Sequence, residues 1–209
     1  FIEVPQAQLL NTQYLAGRAQ TVNPEKVTTQ TIKPGTFIGY KKPVLPAPRR
    51  AEGENTTHLS VIDKNGNAVS MTSTIETAFG SRLMVGGFLL NNQLTDFEFN
   101  PEKDGKPVAN APGPGKKPLS SMSPTIVFDA YGKPYMLIGS PGGKRIIGYT
   151  AKTIIAHIDW GLSIQEAIDY PHIINTNGTT DLEDDPRMVQ YADALKSMGH
   201  DIRILPMES

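Results

Sequence analysis

The 209-residue chain has no cysteine, a single tryptophan, no charge imbalance and no long apolar run. Without cysteine there is no disulfide, no thiolate zinc site and no cysteine nucleophile, though the compartment stays open because disulfide-free proteins occur everywhere. Lys and Arg number 20 against 21 Asp and Glu, a net charge of −1, which gives no electrostatic footprint for nucleic acid. The basic residues are scattered, in pairs such as Lys41-Lys42 and Arg49-Arg50. No apolar stretch approaches the roughly 20 residues that cross a bilayer, so no membrane span is expected in this chain. No GxSxG elbow marks a serine hydrolase. The four histidines, His58, His157, His172 and His200, lack ligand spacing with acidic neighbours, and read as structural rather than metal-binding. The opening Phe1-Ile2-Glu3-Val4, with no methionine and no signal-like region, reads as a piece of something longer.

What is present suits one domain or two. Leu9, Leu10, Tyr14, Leu15 and Ala19 lie near a 3.6 period and predict a helix over 8–20. Residues 23–55 carry five prolines and few periodic apolars, a long connecting segment whose end suits a processing cut. Alternation over 58–63, an Asn65-Gly66 turn and a return over 68–75 predict a hairpin. A strand is expected over 86–92, a surface loop over 100–118, and a second hairpin from 125–128 and 135–138. The period then changes. Ile146, Ile147, Thr150, Ile154, Ile155 and Ile158 form a helical stripe. Ser163 to Glu166 fits a capping box before a short helix ending at Pro171. A helix over 186–198 and a strand over 202–205 close a layered α+β pattern without internal repeats.

Thr56 opens the first hairpin directly after the proline-rich segment. A threonine often simply starts a strand. The alternative is a nucleophile whose base is its own α-amino group, freed by cutting the preceding bond. With a reference pKa near 8, that amine is partly neutral at physiological pH. Gly139-Ser140-Pro141-Gly142-Gly143-Lys144-Arg145 fails the phosphate-loop pattern. Its paired glycines before a helix fit either close strand–helix packing or a backbone N–H site for an oxyanion. Three polar clusters interrupt apolar patterns, at 72–76, 91–97 and 118–124. Each alone fits a strand-end turn. Together they offer Glu76 and Asp96 for an ammonium and Ser120-Ser121 for a carboxylate, the set that holds a zwitterion.

Asn55-Thr56-Thr57-His58, Asp63-Lys64-Asn65-Gly66-Asn67-Ala68-Val69, Leu89-Leu90-Asn91-Asn92-Gln93, Pro118-Leu119-Ser120-Ser121-Met122-Ser123-Pro124-Thr125 and Gly139-Ser140-Pro141-Gly142-Gly143 closely resemble the γ-glutamyltranspeptidase (glutathione hydrolase) family. The blocks occur in family order, with eighteen residues from Thr56 to Thr74. The resemblance implies an N-terminal-nucleophile hydrolase with a four-layer αββα sandwich. It implies that residues 1–55 are the end of a large subunit with its processing linker, and 56–209 most of the small, catalytic one. Self-cleavage between Asn55 and Thr56 would make Thr56 the nucleophile, with Thr74 polarising it and the Gly142 and Gly143 amides forming the oxyanion hole. Ser120 and Ser121 would grip the substrate α-carboxylate, and Glu76, Gln93 and Asp96 would surround its α-amino group. The implied partners are glutathione or another γ-glutamyl compound, an amino acid or peptide acceptor, and the rest of the large subunit. No cofactor is implied, and family habit places such enzymes in the periplasm or outside the cell.

Departures accompany the match. Position 76 carries Glu where other members carry Asn, and the 99–117 loop, where many bacterial members have a lid, contains no Tyr or Trp. The family's carboxylate-binding arginine is assigned to neither Arg49 nor Arg50. The match stops before the family's final strands, so the isolated piece is expected to be inactive. The competing readings are an unprocessed fragment serving as a binding module, and a related amide acylase acting on cephalosporins or poly-γ-glutamate.

Overall fold

The computed structural model describes residues 4–27, 32–37 and 55–207. Most of the expected linker, with Arg49 and Arg50, therefore lies outside the described residues. The helix expected over 8–20 is two pieces, α1 (Gln6–Leu9) and α2 (Thr12–Ala19). Asn11 makes the break: it is extended, and its Oδ1 accepts from Tyr14 N at 2.9 Å, so it caps a new helix rather than continuing the old one.

The first hairpin is β1 (Thr56–Ile62) with β2 (Ala68–Thr74), paired from Thr56↔Thr74 to Ile62↔Ala68. Its turn is closed by the Asp63 carboxylate, which accepts from the Asn65 and Asn67 N–H groups at 2.8 and 2.9 Å. The strand expected over 86–92 is instead a tight hairpin, β3 (Met84–Val85) and β4 (Phe88–Leu89), because Gly86-Gly87 turns the chain back. A single 3-10 turn over Gln93–Asp96 follows. The surface loop carries a short hairpin, β5 (Glu102–Lys103) and β6 (Lys106–Pro107). The second long hairpin forms as expected from β7 (Thr125–Phe128) and β8 (Pro134–Ile138).

A 3-10 turn over Gly143–Arg145 leads into α3 (Ile146–Ile158). Next comes α4 (Ile164–Asp169), opened by the reciprocal Ser163–Glu166 capping box. Lys152 closes the other end of α4, donating to the Ala167 and Tyr170 carbonyls at 2.8 and 2.6 Å. Two strands then appear that hydrophobic periodicity did not reveal, β9 (Ile173–Asn175) and β10 (Thr180–Glu183). The helix expected over 186–198 is α5 (Pro186–Val189) and α6 (Ala192–Ser197), separated by a tightened turn with Tyr191 N on Met188 O at 3.0 Å. The final strand is β11 (Ile202–Leu205). Strand β10 lies between antiparallel β9 and parallel β11, over a small core of Leu182, Met188 and Ala192.

The two long hairpins cross closely because the residues at the crossing are short. Ser60 and Ser70 face each other in register. Their hydroxyls donate to the Leu137 and Ile138 carbonyls of β8 at 3.3 and 3.1 Å. A Cβ on Gly139 would stand 2.2 Å from His58 Nδ1, so only glycine fits there. The opposite face of the first hairpin, Leu59, Val61, Val69 and Met71, is exposed. The buried face of α3 is Ile146, Tyr149, Thr150, Thr153 and Ala156, while Ile147, Ile155 and Ile158 of the expected stripe are exposed. The helix is apolar on both sides, and periodicity alone selects neither. The described residues form five small sheets with six α-helices, an α+β arrangement.

Candidate active site

The hairpin register sets the centre of the site. Thr56 pairs with Thr74, so their side chains share a face of the antiparallel ladder. The Thr74 hydroxyl donates to the Asn55 carbonyl oxygen at 2.9 Å and accepts from Glu76 N at 2.9 Å. Its one proton is therefore committed to the carbonyl of the Asn55–Thr56 bond. Glu76 sits in the left-handed region at φ 76°, a conformation uncommon for a residue other than Gly, Asn or Asp. That backbone twist at the strand end turns its N–H back onto Thr74.

Thr56, Thr74, Glu76, Gln93, Asp96, Ser120, Ser121 and Gly143 all line one cleft, together with the apolar Leu119, Met122 and Ile146. Five separate segments meet there. Asp96 is buried, and Gln93 Nε2 donates to its Oδ2 across the single 3-10 turn. Ser120 Oγ accepts from Met122 N at 3.2 Å, bending the serine pair into the cleft. Gly142, the last of the expected set, is buried and caps the turn into α3 rather than lining the cleft. Gly142 and Gly143 hold φ values of 123° and 55°, conformations that a side chain would strain. The paired glycines thus serve backbone geometry.

Sequence reasoning missed the residues that hold these segments together. Buried Asn110 donates through Nδ2 to Asp96 O at 2.6 Å and accepts from Leu119 N at 3.0 Å, tying the Asp96 side of the cleft to the serine side. Asn92 Oδ1 accepts from Thr77 N at 3.1 Å, joining the segment after Glu76 to the one before Gln93. Asn110 lies in a loop read only as surface. Its one sequence signal is an amide among small residues, which is too common to select it.

The histidines have structural surroundings. His58 bridges Thr72 Oγ1 at 2.8 Å and Ser60 Oγ at 3.1 Å, and burial lowers its pKa. His157 joins Leu162 O and Tyr135 OH at 2.7 and 2.9 Å, and His200 meets Thr180 Oγ1 at 3.1 Å. His172 is buried against Tyr149 with both ring nitrogens unpartnered, and burial with nearby Lys152 lowers its pKa to about 3. Among the described residues no group of three or more His, Asp or Glu side chains could hold a metal ion. None of the described helices is long and apolar enough to cross a membrane.

The family model described as "Gamma-glutamyltranspeptidase" matches residues 1–208. A glutathione hydrolase proenzyme from Pseudomonas sp. (strain A14) is 44% identical over 182 residues, 82% of this chain and 29% of that protein. The chain thus spans under a third of that relative's length. Among solved structures, the T380A mutant of Helicobacter pylori γ-glutamyltranspeptidase is similar at 39% identity and a TM-score of 0.65, over 73% of this chain and 86% of that one. A cephalosporin acylase from Bacillus halodurans is similar at 26% identity and a TM-score of 0.74, over 97% of this chain and 33% of that one. By the family model that covers nearly all of it and by these relatives, the chain belongs to the γ-glutamyltranspeptidase family of N-terminal-nucleophile hydrolases.

Proposed function

We propose that this chain is the catalytic part of a γ-glutamyltransferase that hydrolyses or transfers γ-glutamyl groups from glutathione and related compounds. The observation that carries the reading is the convergence of two acidic residues, two serines and the Thr56–Thr74 pair on one cleft. The acidic residues match an α-ammonium and the serines an α-carboxylate, leaving the γ-carbonyl of a glutamyl group for the threonine.

Maturation comes first. Thr56 Oγ1 attacks the Asn55 carbonyl carbon while Thr74 stabilises the developing oxyanion through its 2.9 Å hydrogen bond. The C–N bond breaks, the nitrogen takes the proton from the hydroxyl, and water hydrolyses the resulting ester. The relatives' description as proenzymes supports this order. The products are a chain ending at Asn55, and a Thr56 with a free amine and a free hydroxyl.

Turnover repeats the chemistry on substrate. The Thr56 amine removes the hydroxyl proton as Oγ1 attacks the γ-carbonyl carbon, and the Gly143 amide, the one of the glycine pair that lines the cleft, stabilises the oxyanion. Collapse expels the amine product, which takes the proton from the Thr56 ammonium, and leaves a γ-glutamyl ester on Thr56. Water resolves the ester in hydrolysis, and an amino acid or peptide amine resolves it in transfer.

In the whole enzyme the exposed apolar face of β1–β2 and the outer isoleucines of α3 would be covered by the remainder of a four-layer sandwich, with the rest of the large subunit as partner. Exposed apolar faces this extended are uncommon on finished proteins. The likeness to a cephalosporin acylase favours a second reading, deacylation of amides that lack an α-amino group. Rates of the full-length gene product on γ-glutamyl-p-nitroanilide and glutaryl-p-nitroanilide separate the two. The γ-glutamyl reading expects a preference of at least about 100-fold, because Glu76 and Asp96 would otherwise face an acyl chain with no cation to pair. Equal rates refute it.

A further inference from the structure

We propose that Asp181 is a positioning residue for the Gly142–Gly143 turn, acting through Arg145. The inference rests on the γ-glutamyl reading for its catalytic consequence, and on geometry alone for the clamp itself. Two consecutive glycines at positive φ have more conformational freedom than any other dipeptide. The turn they open has no side-chain cap, and inside it Arg145 N donates to Gly142 O at 3.0 Å. That bond and Ile146 N on Gly143 O close the turn on itself, and neither anchors it to the rest of the fold with the accuracy that stabilising an oxyanion requires. The anchor comes from outside. Arg145, the last residue of the turn, donates through Nε at 3.3 Å and Nη2 at 3.1 Å to Oδ2 of Asp181, 36 residues away on β10.

Asp181 is itself held rigidly. It is 3% exposed on the central strand of its sheet. Its register partner Arg203 on β11 donates Nε to Oδ1 at 2.8 Å and Nη2 to Oδ2 at 2.9 Å. A forked guanidinium on each side fixes both oxygens of the carboxylate in direction as well as distance. The three-stranded sheet, which contributes no residue to the cleft lining, thereby sets where the Gly143 N–H points. A carboxamide at position 181 has nearly the same shape. It carries no charge for the two guanidinium groups and turns one acceptor into a donor, facing Arg203 alone at the Oδ1 position or both arginines at the Oδ2 position, and so weakens the hold on the turn.

The test compares the full-length gene product with its Asp181→Asn, Arg145→Lys and Met188→Ala variants. Met188 packs under the same sheet, so its truncation is a purely structural control. Two quantities are read for each: kcat and KM on γ-glutamyl-p-nitroanilide, and hydrogen–deuterium exchange of the segment 139–146. Asp181→Asn is expected to lower kcat about 100-fold, the cost of a misplacement near 1 Å, with KM changed less than about twofold. Exchange over 139–146 should rise about tenfold while β1–β2 keeps its protection. Arg145→Lys keeps the positive charge, loses the fork, and should move both readouts in the same direction even if Asp181→Asn fails to fold. Met188→Ala should lower Tm and leave kcat and the 139–146 exchange unchanged. Wild-type exchange in the Asp181→Asn and Arg145→Lys variants overturns the clamp, as does a kcat loss that Met188→Ala reproduces. A wild type with no γ-glutamyl activity refutes the reading of the site, and the exchange measurement still decides the clamp.

Discussion

Replacing Thr74 by valine removes one hydroxyl and preserves the β-branched shape, so it isolates the hydrogen bond to the scissile carbonyl. In the unprocessed chain that hydroxyl donates to Asn55 O and accepts from Glu76 N, both at 2.9 Å. Two consequences follow, of different size. For stability, the variant loses one hydrogen bond and strands one half-exposed N–H, about 1 kcal/mol in all. For the rate, it loses a preorganised donor aimed at the oxygen on which charge develops. Donors of that kind are worth about 3–4 kcal/mol, a factor of about 100 to 1,000. The maturation rate should therefore fall by two to three orders of magnitude (~10²–10³) while the precursor stays folded. Intact-mass spectrometry of purified full-length precursor, sampled over hours to days, measures the rate directly. Thr74→Ser keeps the hydroxyl and should mature within about tenfold of wild type. A Thr74→Val precursor that splits at the wild-type rate refutes the assignment of this hydroxyl.

Two further outcomes follow from the same geometry. Glu76→Asn places a residue that tolerates positive φ at a position held at 76°. Stability should rise by about 0.5–1 kcal/mol in chemical denaturation, whereas KM for γ-glutamyl-p-nitroanilide should rise about tenfold as a charge leaves the proposed ammonium site. For His172, burial and Lys152 lower the pKa from 6.5 to about 3. The unfolded chain thus takes up a proton between those values that the folded chain refuses, and stability is lost as pH falls through that window. The loss reaches at most about 2 kcal/mol at pH 5. His172→Phe keeps the ring against Tyr149 and should flatten the dependence of unfolding free energy on pH between 7 and 5. An unchanged slope would show that His172 is not its source.

The hairpin around Thr56 was legible because alternation, an Asn-Gly turn and flanking prolines all act locally. The capping box at Ser163 and the β7–β8 hairpin were legible for the same reason. The α3 helix was predicted over the right residues, and Ile146 and Thr150 of its stripe are buried, but Ile147, Ile155 and Ile158 are exposed, since isoleucine occurs on both sides and tertiary packing chose Tyr149, Thr153 and Ala156. Helix ends decided by a single cap at Asn11, and strands as short as β9 and β10, depend on partners distant in sequence. The candidate site residues were read from spaced blocks and the polar clusters around them, and the cleft gathers all of the expected catalytic and substrate-binding residues but Gly142 into its lining. Their supports, Asn110, Arg145 and Asp181, were invisible because each acts by a hydrogen bond between segments 9 to 36 residues apart. No local pattern encodes that separation.

The central claim is that Thr56 becomes a catalyst only when its bond to Asn55 is broken. Intact-mass analysis of the purified full-length gene product, alongside its Thr56→Ala variant, tests it most directly. The account predicts two chains in the wild type, one beginning at Thr56, and a single unsplit chain without γ-glutamyl activity in the variant. An active wild type that remains one chain, or a Thr56→Ala chain that still divides at this bond, would contradict it.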